Sequence, residues 1–106
     1  MMERDPVLNN IVDRLVSTFQ PDRIYLFGSK ARGEDTRDSD YDLMVIVHSS
    51  DQPSYKRSQL AYQSLKGITT AVDVLVWTKN AFDSRLHLKA SFPSTIVREG
   101  RLLYAS

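Results

Sequence analysis

The sequence has no cysteine, no long apolar run, no excess of charge of one sign and only four glycines. Without cysteine, disulfides and thiolate metal sites are excluded, so any metal ion must be bound by carboxylates or imidazoles. Fourteen basic and thirteen acidic residues nearly cancel, which argues against a protein that grips a nucleic acid backbone along its length. Because no segment fits a signal peptide or a membrane helix, we expect a cytoplasmic protein.

The composition that remains is that of a small globular domain. Of the 106 residues, 42% are hydrophobic and 25% are charged. This length can bury one core, so we predict a single domain over residues 1–106.

Hydrophobic periodicity and turn residues predict helices and strands along the whole chain. The predicted helices cover residues 6–19 and 55–65, with a helical turn at 29–32, a helix from about 79 and a short helix ended by Gly100. The predicted strands cover residues 23–27, 41–47 and 71–77, with a short apolar strand in the tail. This order favours an α/β (α+β) fold, in which a small mixed sheet carries helices packed on one face.

Two aspartates begin the strongest predicted strand. Asp40 and Asp42 are two residues apart, so both side chains point to one face of the strand. Carboxylates this close repel each other unless a cation lies between them. Mg²⁺ typically takes one or two carboxylates together with substrate phosphates, so the pair is a candidate magnesium site. The alternative is that both are turn and strand residues without a ligand.

A third acid, Asp73, lies inside the next apolar strand between Val72 and Val74, where a carboxylate needs a reason. If the two strands are neighbours, Asp73 can face the same site. Three carboxylates can hold two Mg²⁺ ions about 3.5–4 Å apart, one for an attacking oxygen and one for a triphosphate. Asp73 would complete the shell of the first ion or take the proton of the nucleophile. The alternative is a solvent-facing residue on an edge strand.

Gly28 and Ser29 follow a predicted strand and begin a helical turn. This arrangement exposes backbone N–H groups at the positive end of a helix, and glycine allows phosphate oxygens to approach closely. The Ser29 hydroxyl adds a donor. Lys30, Arg32 and Arg37 lie close in sequence and can neutralise phosphate charge, with Arg32 the best candidate among them. The alternative for these three is a solvated loop.

These residues carry a family resemblance. Gly28-Ser29, ten intervening residues and Asp40-x-Asp42 match the Gly-Ser-x10-Asp-x-Asp signature of the polymerase β-like nucleotidyltransferase superfamily. The run Gly-Ser-Lys-Ala-Arg-Gly resembles in particular the minimal nucleotidyltransferases, or MNT proteins, which are about as small as this chain. Asp73 is matched by its strand context rather than by a fixed spacing. The resemblance implies the nucleotidyltransferase fold.

The resemblance also implies a reaction and a partner. Members transfer a nucleoside monophosphate from a nucleoside triphosphate to a hydroxyl and release pyrophosphate, and we expect ATP as donor with two Mg²⁺ ions. MNT proteins are commonly paired with a HEPN toxin of ribonuclease character, for which they are the antitoxin, and some adenylylate a tyrosine of that partner. The residues that the resemblance assigns are Asp40, Asp42 and Asp73 as catalytic metal ligands, and Gly28, Ser29 and Arg32 as nucleotide-binding residues.

Three hypotheses about function therefore stand beside one another. The first is a Mg²⁺-dependent transferase that acts as an antitoxin by modifying a tyrosine of a HEPN toxin. The second is an antitoxin that blocks its partner by contact without turnover. The third is a transferase for a small molecule such as an antibiotic, although a chain this short offers no enclosing wall for such an acceptor. The near-neutral charge makes nucleic acid a poor candidate for a direct partner.

Overall fold

The computed structural model describes residues 5–33 and 40–106, which form five helices and four strands. The helices are α1 (Pro6–Phe19), α2 (Ser29–Arg32), α3 (Ser54–Ser64), α4 (Lys79–Asp83) and α5 (Phe92–Glu99). The strands are β1 (Arg23–Phe27), β2 (Tyr41–Val47), β3 (Val72–Thr78) and β4 (Arg101–Ala105). The predicted bounds of α1, β1, α2 and β2 are confirmed, and those of α3 and β3 are each displaced by one residue.

Helix α1 shows why the predicted starts and stops hold. Asp5 caps it by accepting a hydrogen bond from the backbone N–H of Val7, and Pro6 supplies a φ already suited to the first turn. The helix ends at Gln20, whose N–H donates to the Val16 carbonyl and whose left-handed backbone turns the chain away from the helix axis. No helix within the described ranges combines the length and apolar character that a membrane span requires.

The four strands form one mixed sheet in the order β3-β2-β1-β4. Strand β1 runs antiparallel to both of its neighbours, whereas β2 and β3 run parallel and are joined through α3. Strands β3 and β4 are therefore the two edges. The mixed sheet and the α/β class agree with the prediction.

Helices cover both faces of the sheet, which corrects the prediction that they pack on one face. Helices α1 and α3 pack on the face that carries Leu43 and Val45. On the opposite face Met44 and Ile46 are fully buried beneath Phe82 of α4 and other apolar residues, including Ile96 of α5. The physical reason lies in β2, whose apolar run alternates between both faces and therefore needs a layer on each.

An ion-pair cluster at the start of β1 predicts that the stability of the fold depends on pH. Asp22 accepts a 2.7 Å hydrogen bond from Arg23 Nε, and Arg23 Nη2 donates to Asp83 at 2.7 Å. The bond from Arg23 holds the pKa of Asp22 below its ordinary value of 3.8. A carboxylate whose pKa is lowered by folding stabilises the folded state above its unfolded pKa, and this contribution is lost as pH falls through the folded pKa.

We therefore expect Asp22→Asn to lower the free energy of unfolding by about 1–2 kcal/mol at neutral pH. The difference from wild type should shrink in acid, below roughly pH 4, because the wild-type carboxylate is then protonated as well. Urea unfolding of both proteins at neutral pH and in acid checks this. A difference of the same size in both conditions would contradict the assigned role of the Arg23 bond.

Candidate active site

Asp42 and Asp73 lie side by side on the sheet. They occupy the same register position of the parallel pair β2 and β3, so their side chains leave the same face. This is the face that carries Met44 and Leu75 in the next row and Ile46 and Trp77 in the one after. The neighbouring strands that the sequence analysis required for Asp73 are thus present, and the two acids are brought together.

Gly28 places the predicted phosphate-binding turn directly against Asp42. Phe27, the last residue of β1, pairs with Asp42, and Gly28 follows with a left-handed φ of +77°. A Cβ atom on Gly28 would lie only 2.2 Å from Asp42 Oδ2. Glycine is therefore required twice here, once by the backbone conformation and once by the close approach of the carboxylate. Ser29 begins α2 immediately beside this contact.

The surroundings of Asp42 penalise its negative charge. Burial raises the pKa of the Asp42 carboxyl, the negative charges of Asp73 and Asp40 raise it further, and the positive charge of Arg32 lowers it. The other two predicted acids and Arg32 thus all act electrostatically on the Asp42 carboxylate. A cation bound between the carboxylates would relieve this penalty, so the electrostatics of the site favour a metal ion.

The two basic residues of α2, Lys30 and Arg32, interact with different residues of the site. The Arg32 backbone N–H donates to the Gly28 carbonyl at 3.2 Å, and its side chain is exposed while its charge reaches Asp42. Lys30 Nζ lies 4.6 Å from the centroid of the Tyr41 ring, a cation–π contact that ties α2 to the start of β2. Arg37 lies outside the described residues.

Tyr41 is a structural residue of the site that the sequence did not reveal. It stands between the two predicted metal ligands, is 6% exposed and points to the opposite face of β2, where its hydroxyl donates a short hydrogen bond to the Asp5 carboxylate. This bond lowers the pKa of Asp5. The bond connects the strand that carries Asp42 to the first turn of α1. Alternation along β2 predicts the face of Tyr41, but no pattern links it to Asp5.

The acidic residues of the site can supply only some of the ligands that a magnesium ion needs, and a substrate would have to supply others. In residues 5–33 and 40–106, no three acidic or histidine side chains already form a cluster that could hold a metal ion. Asp42 and Asp73 supply a pair, and Asp40 is exposed at the start of β2. Because Mg²⁺ takes its remaining ligands from phosphate oxygens and water, such a pair suits an ion delivered with a nucleoside triphosphate. The set of three ligands stays a prediction.

With this geometry established, known proteins can be compared. A family model described as polymerase beta, nucleotidyltransferase, matches residues 9–106. The chain belongs to this family. A curated protein of Methanocaldococcus jannaschii, named "Putative protein adenylyltransferase", is 27% identical over 105 residues, which are 97% of this chain and 100% of that protein. This family membership makes the chain a nucleotidyltransferase.

Solved structures agree with that assignment. A crystal structure of a toxin-antitoxin with AMP-PNP shares 26% identity and a TM-score of 0.66, over 92% of this chain and 73% of that one. A mutant of the toxin-antitoxin MntA-HpeT shares 22% identity and a TM-score of 0.63 over the same fractions, and this likeness shows the fold. The protein is an MNT-like member of the polymerase β superfamily, as the sequence resemblance predicted.

Proposed function

We propose that the protein transfers AMP from ATP to a hydroxyl on a partner protein, with Mg²⁺ held by Asp40, Asp42 and Asp73. The observation that carries this proposal is the row across three strands: the Gly28 turn on β1, Asp42 on β2 and Asp73 on β3. A phosphate-binding turn within contact of a carboxylate pair is the arrangement that a metal-bound triphosphate requires.

Each residue of the row has a distinct task. The backbone at Gly28 and the Ser29 hydroxyl would bind the β- and γ-phosphates, and Arg32 would offset their charge. Asp42 would hold a metal ion beside the phosphates, and Asp73 would complete the ligand set or accept the proton of the attacking hydroxyl. Bound Mg²⁺ would neutralise charge on the α-phosphate and on the departing pyrophosphate.

The bond changes define the reaction. The acceptor oxygen forms a bond to the α-phosphorus, the bond from the α-phosphorus to the bridging oxygen breaks, and pyrophosphate leaves. The proton of the hydroxyl passes to Asp73 or to water. Catalysis in such a site consists of positioning and charge neutralisation, since the chain contributes no covalent intermediate.

The partner is proposed from the relatives. One similar structure is a toxin-antitoxin with AMP-PNP, and one similar protein is named "Putative protein adenylyltransferase". These names support a toxin protein as the partner. As the resemblance to MNT proteins implies, we propose a toxin of the HEPN type, with a tyrosine hydroxyl as the acceptor and antitoxin action as the biological result.

Binding of Mg²⁺ and ATP should stabilise the fold, because only the folded chain brings Gly28, Asp42 and Asp73 together. At a ligand concentration about a hundredfold above Kd, the gain is about 2.7 kcal/mol, which corresponds to a rise in Tm of roughly 10–20 °C for a domain of this size. Thermal melts with Mg²⁺ and ATP, with ATP and a chelator, and with neither measure it. No rise at millimolar ligand, or the same rise with the chelator, would count against the proposed metal site.

The transfer itself is tested with the product of the neighbouring gene, meaning the protein encoded beside this chain, because MNT proteins are commonly paired with a toxin. Wild type and Asp42→Asn are each incubated with that protein, ATP and Mg²⁺, and intact-mass spectrometry then looks for an added AMP, which fragmentation assigns to a residue. We expect an adenylylated tyrosine with wild type alone. A stable complex without added mass would favour an antitoxin that acts by contact. Neither complex nor modification would leave a small-molecule acceptor as the better hypothesis.

A further inference from the structure

The order of the strands fixes the direction from which an acceptor can approach. In an in-line displacement the attacking oxygen and the leaving group lie on opposite sides of the phosphorus. Under the proposed function, pyrophosphate departs toward the Gly28 turn on β1, and the α-phosphate lies near Asp42 and Asp73. The acceptor must then come from the side of β3, which is the edge of the sheet.

A cavity of about 340 Å³ opens along this edge, on the path of the acceptor. Leu75 and Trp77, the second and fourth residues after Asp73, form its apolar wall from the same face of β3. At the rise of a strand, Leu75 lies about 7 Å from Asp73 and Trp77 about 13 Å. We call this the β3-edge pocket. A larger cavity of about 420 Å³ is lined by Phe19 and Val47, and Val47 is at the far end of β2 from Asp42.

The polar wall of the β3-edge pocket is basic. Arg57 of α3 is fixed there, because its Nε donates to the Val76 carbonyl at 3.2 Å and its Nη1 to the Gln52 carbonyl at 2.8 Å. Arg85 also lines the pocket, with its guanidinium carbon 5.9 Å from the centroid of the Trp77 ring. The lining also includes Ser54 and Ser58 and contains no acidic residue among those described. An anionic group beside an apolar one complements this surface.

Side chains of α3 form hydrogen bonds with backbone groups on the outer edge of β3. The Tyr62 hydroxyl lies 3.4 Å from the Val74 nitrogen, which donates to it, and Arg57 covers the Val76 carbonyl. An added strand would need these same backbone groups. Strand addition at β3 is therefore disfavoured, and a partner that docks here would do so through its side chains.

We propose that the β3-edge pocket docks the segment of the partner protein that carries the acceptor hydroxyl. An apolar side chain of that segment lies against Leu75 and Trp77, and an acidic side chain lies between Arg57 and Arg85. Because the pocket begins one row from Asp73, these side chains lie within about four residues of the acceptor in an extended segment. The proposal rests on the proposed function and deepens it, since it states what the acceptor segment must contain.

The test compares Arg85→Glu with Lys66→Glu, which makes the same change of charge at an exposed residue beyond the C-terminal end of α3. For the neighbouring gene product as acceptor, we expect Arg85→Glu to lower kcat/KM of AMP transfer roughly tenfold or more. Lys66→Glu should behave as wild type, and Arg85→Lys should retain most of the activity. The rise in Tm with Mg²⁺ and ATP should be the same in all four proteins, which shows that the nucleotide site is intact.

Transfer by Arg85→Glu at the wild-type rate would overturn the pocket while leaving the proposed function in place. If Arg85→Glu in addition binds a single-stranded RNA oligonucleotide more weakly than wild type does, the basic wall is an RNA contact instead. If wild type neither binds nor modifies the gene product, the proposed function and the pocket are both wrong.

Discussion

Asp42→Asn is expected to reduce AMP transfer by a factor of about 10³ or more, while the fold remains intact and becomes slightly more stable in the absence of metal. The loss follows from the proposed function, because Asp42 lies between the Gly28 turn and Asp73, where the metal ion and the phosphates would both meet its carboxylate. The gain in stability follows because burial and the charges of Asp73 and Asp40 disfavour the Asp42 carboxylate in the folded protein. Asp40→Asn should likewise abolish transfer without unfolding the chain.

Urea unfolding without metal, at several pH values, separates these effects. Since folding raises the pKa of Asp42, the folded state takes up a proton more readily than the unfolded state. The free energy of unfolding of wild type therefore approaches that of the variant as pH falls toward 3.8, the ordinary pKa of an aspartate. The stability difference should therefore be largest at neutral pH and vanish in acid. Asp13→Asn, which removes the same charge from an exposed position of α1, is the control. An Asp42→Asn protein that fails to fold would make Asp42 a structural residue.

Gly28→Ala is expected to impair both folding and transfer, which distinguishes it from the aspartate variant. The new Cβ would lie 2.2 Å from Asp42 Oδ2, so the carboxylate must move. The backbone of Gly28, with φ +77° and ψ −160°, lies in a region almost confined to glycine, which adds strain of about 1–3 kcal/mol. Displacement of the carboxylate by an ångström or so should lower the transfer rate by about 10².

Gly67→Ala is the matched control for this substitution. Gly67 also has a positive φ, +92°, but nothing lies within 4 Å of the position its Cβ would take. It should therefore show the backbone strain alone, with a lower free energy of unfolding and normal transfer. Chemical unfolding and initial transfer rates of both variants measure the two effects. Equal transfer by the two alanine variants would mean that the contact between Gly28 and Asp42 has no functional importance.

The boundaries of the elements could be predicted because local residues determine them. Asp5 and Pro6 start α1, Gly28 closes β1, and the long apolar run of β2 is typical of a buried strand. The candidate site could be located for the same reason, since the acids at 40 and 42 and the Gly28 turn are close in sequence. Interactions among residues close in sequence were sufficient to predict these features.

Features that depend on distant contacts could not be predicted. The register that pairs Asp42 with Asp73 is set across the whole β2-α3-β3 crossover, and sequence spacing does not encode it. The bond from Tyr41 to Asp5 spans 36 positions. Arg57 is half-buried and bonded to the edge of β3, a contact that the sequence of α3 alone does not predict.

The prediction that the helices pack on one face of the sheet was wrong because two of the helices are short. Helices α4 and α5 have five and eight residues, too few for a hydrophobic period to show which face of the sheet they cover. Their positions follow from Phe82 and Ile96, which bury the second face of β2. The aspartates lie on this same face, next to the covered part of the sheet.

The most direct test of the central claim is to identify the phosphate product that leaves ATP when the partner protein is the acceptor. Nucleotidyl transfer by the Gly28, Asp42 and Asp73 row must release pyrophosphate, one for each AMP attached, in a reaction that requires Mg²⁺ and is lost in Asp42→Asn. Pyrophosphate and orthophosphate are measured separately beside the AMP content of the partner. Release of orthophosphate alone, or equal pyrophosphate release by wild type and Asp42→Asn, would contradict the assignment of this row as the active site.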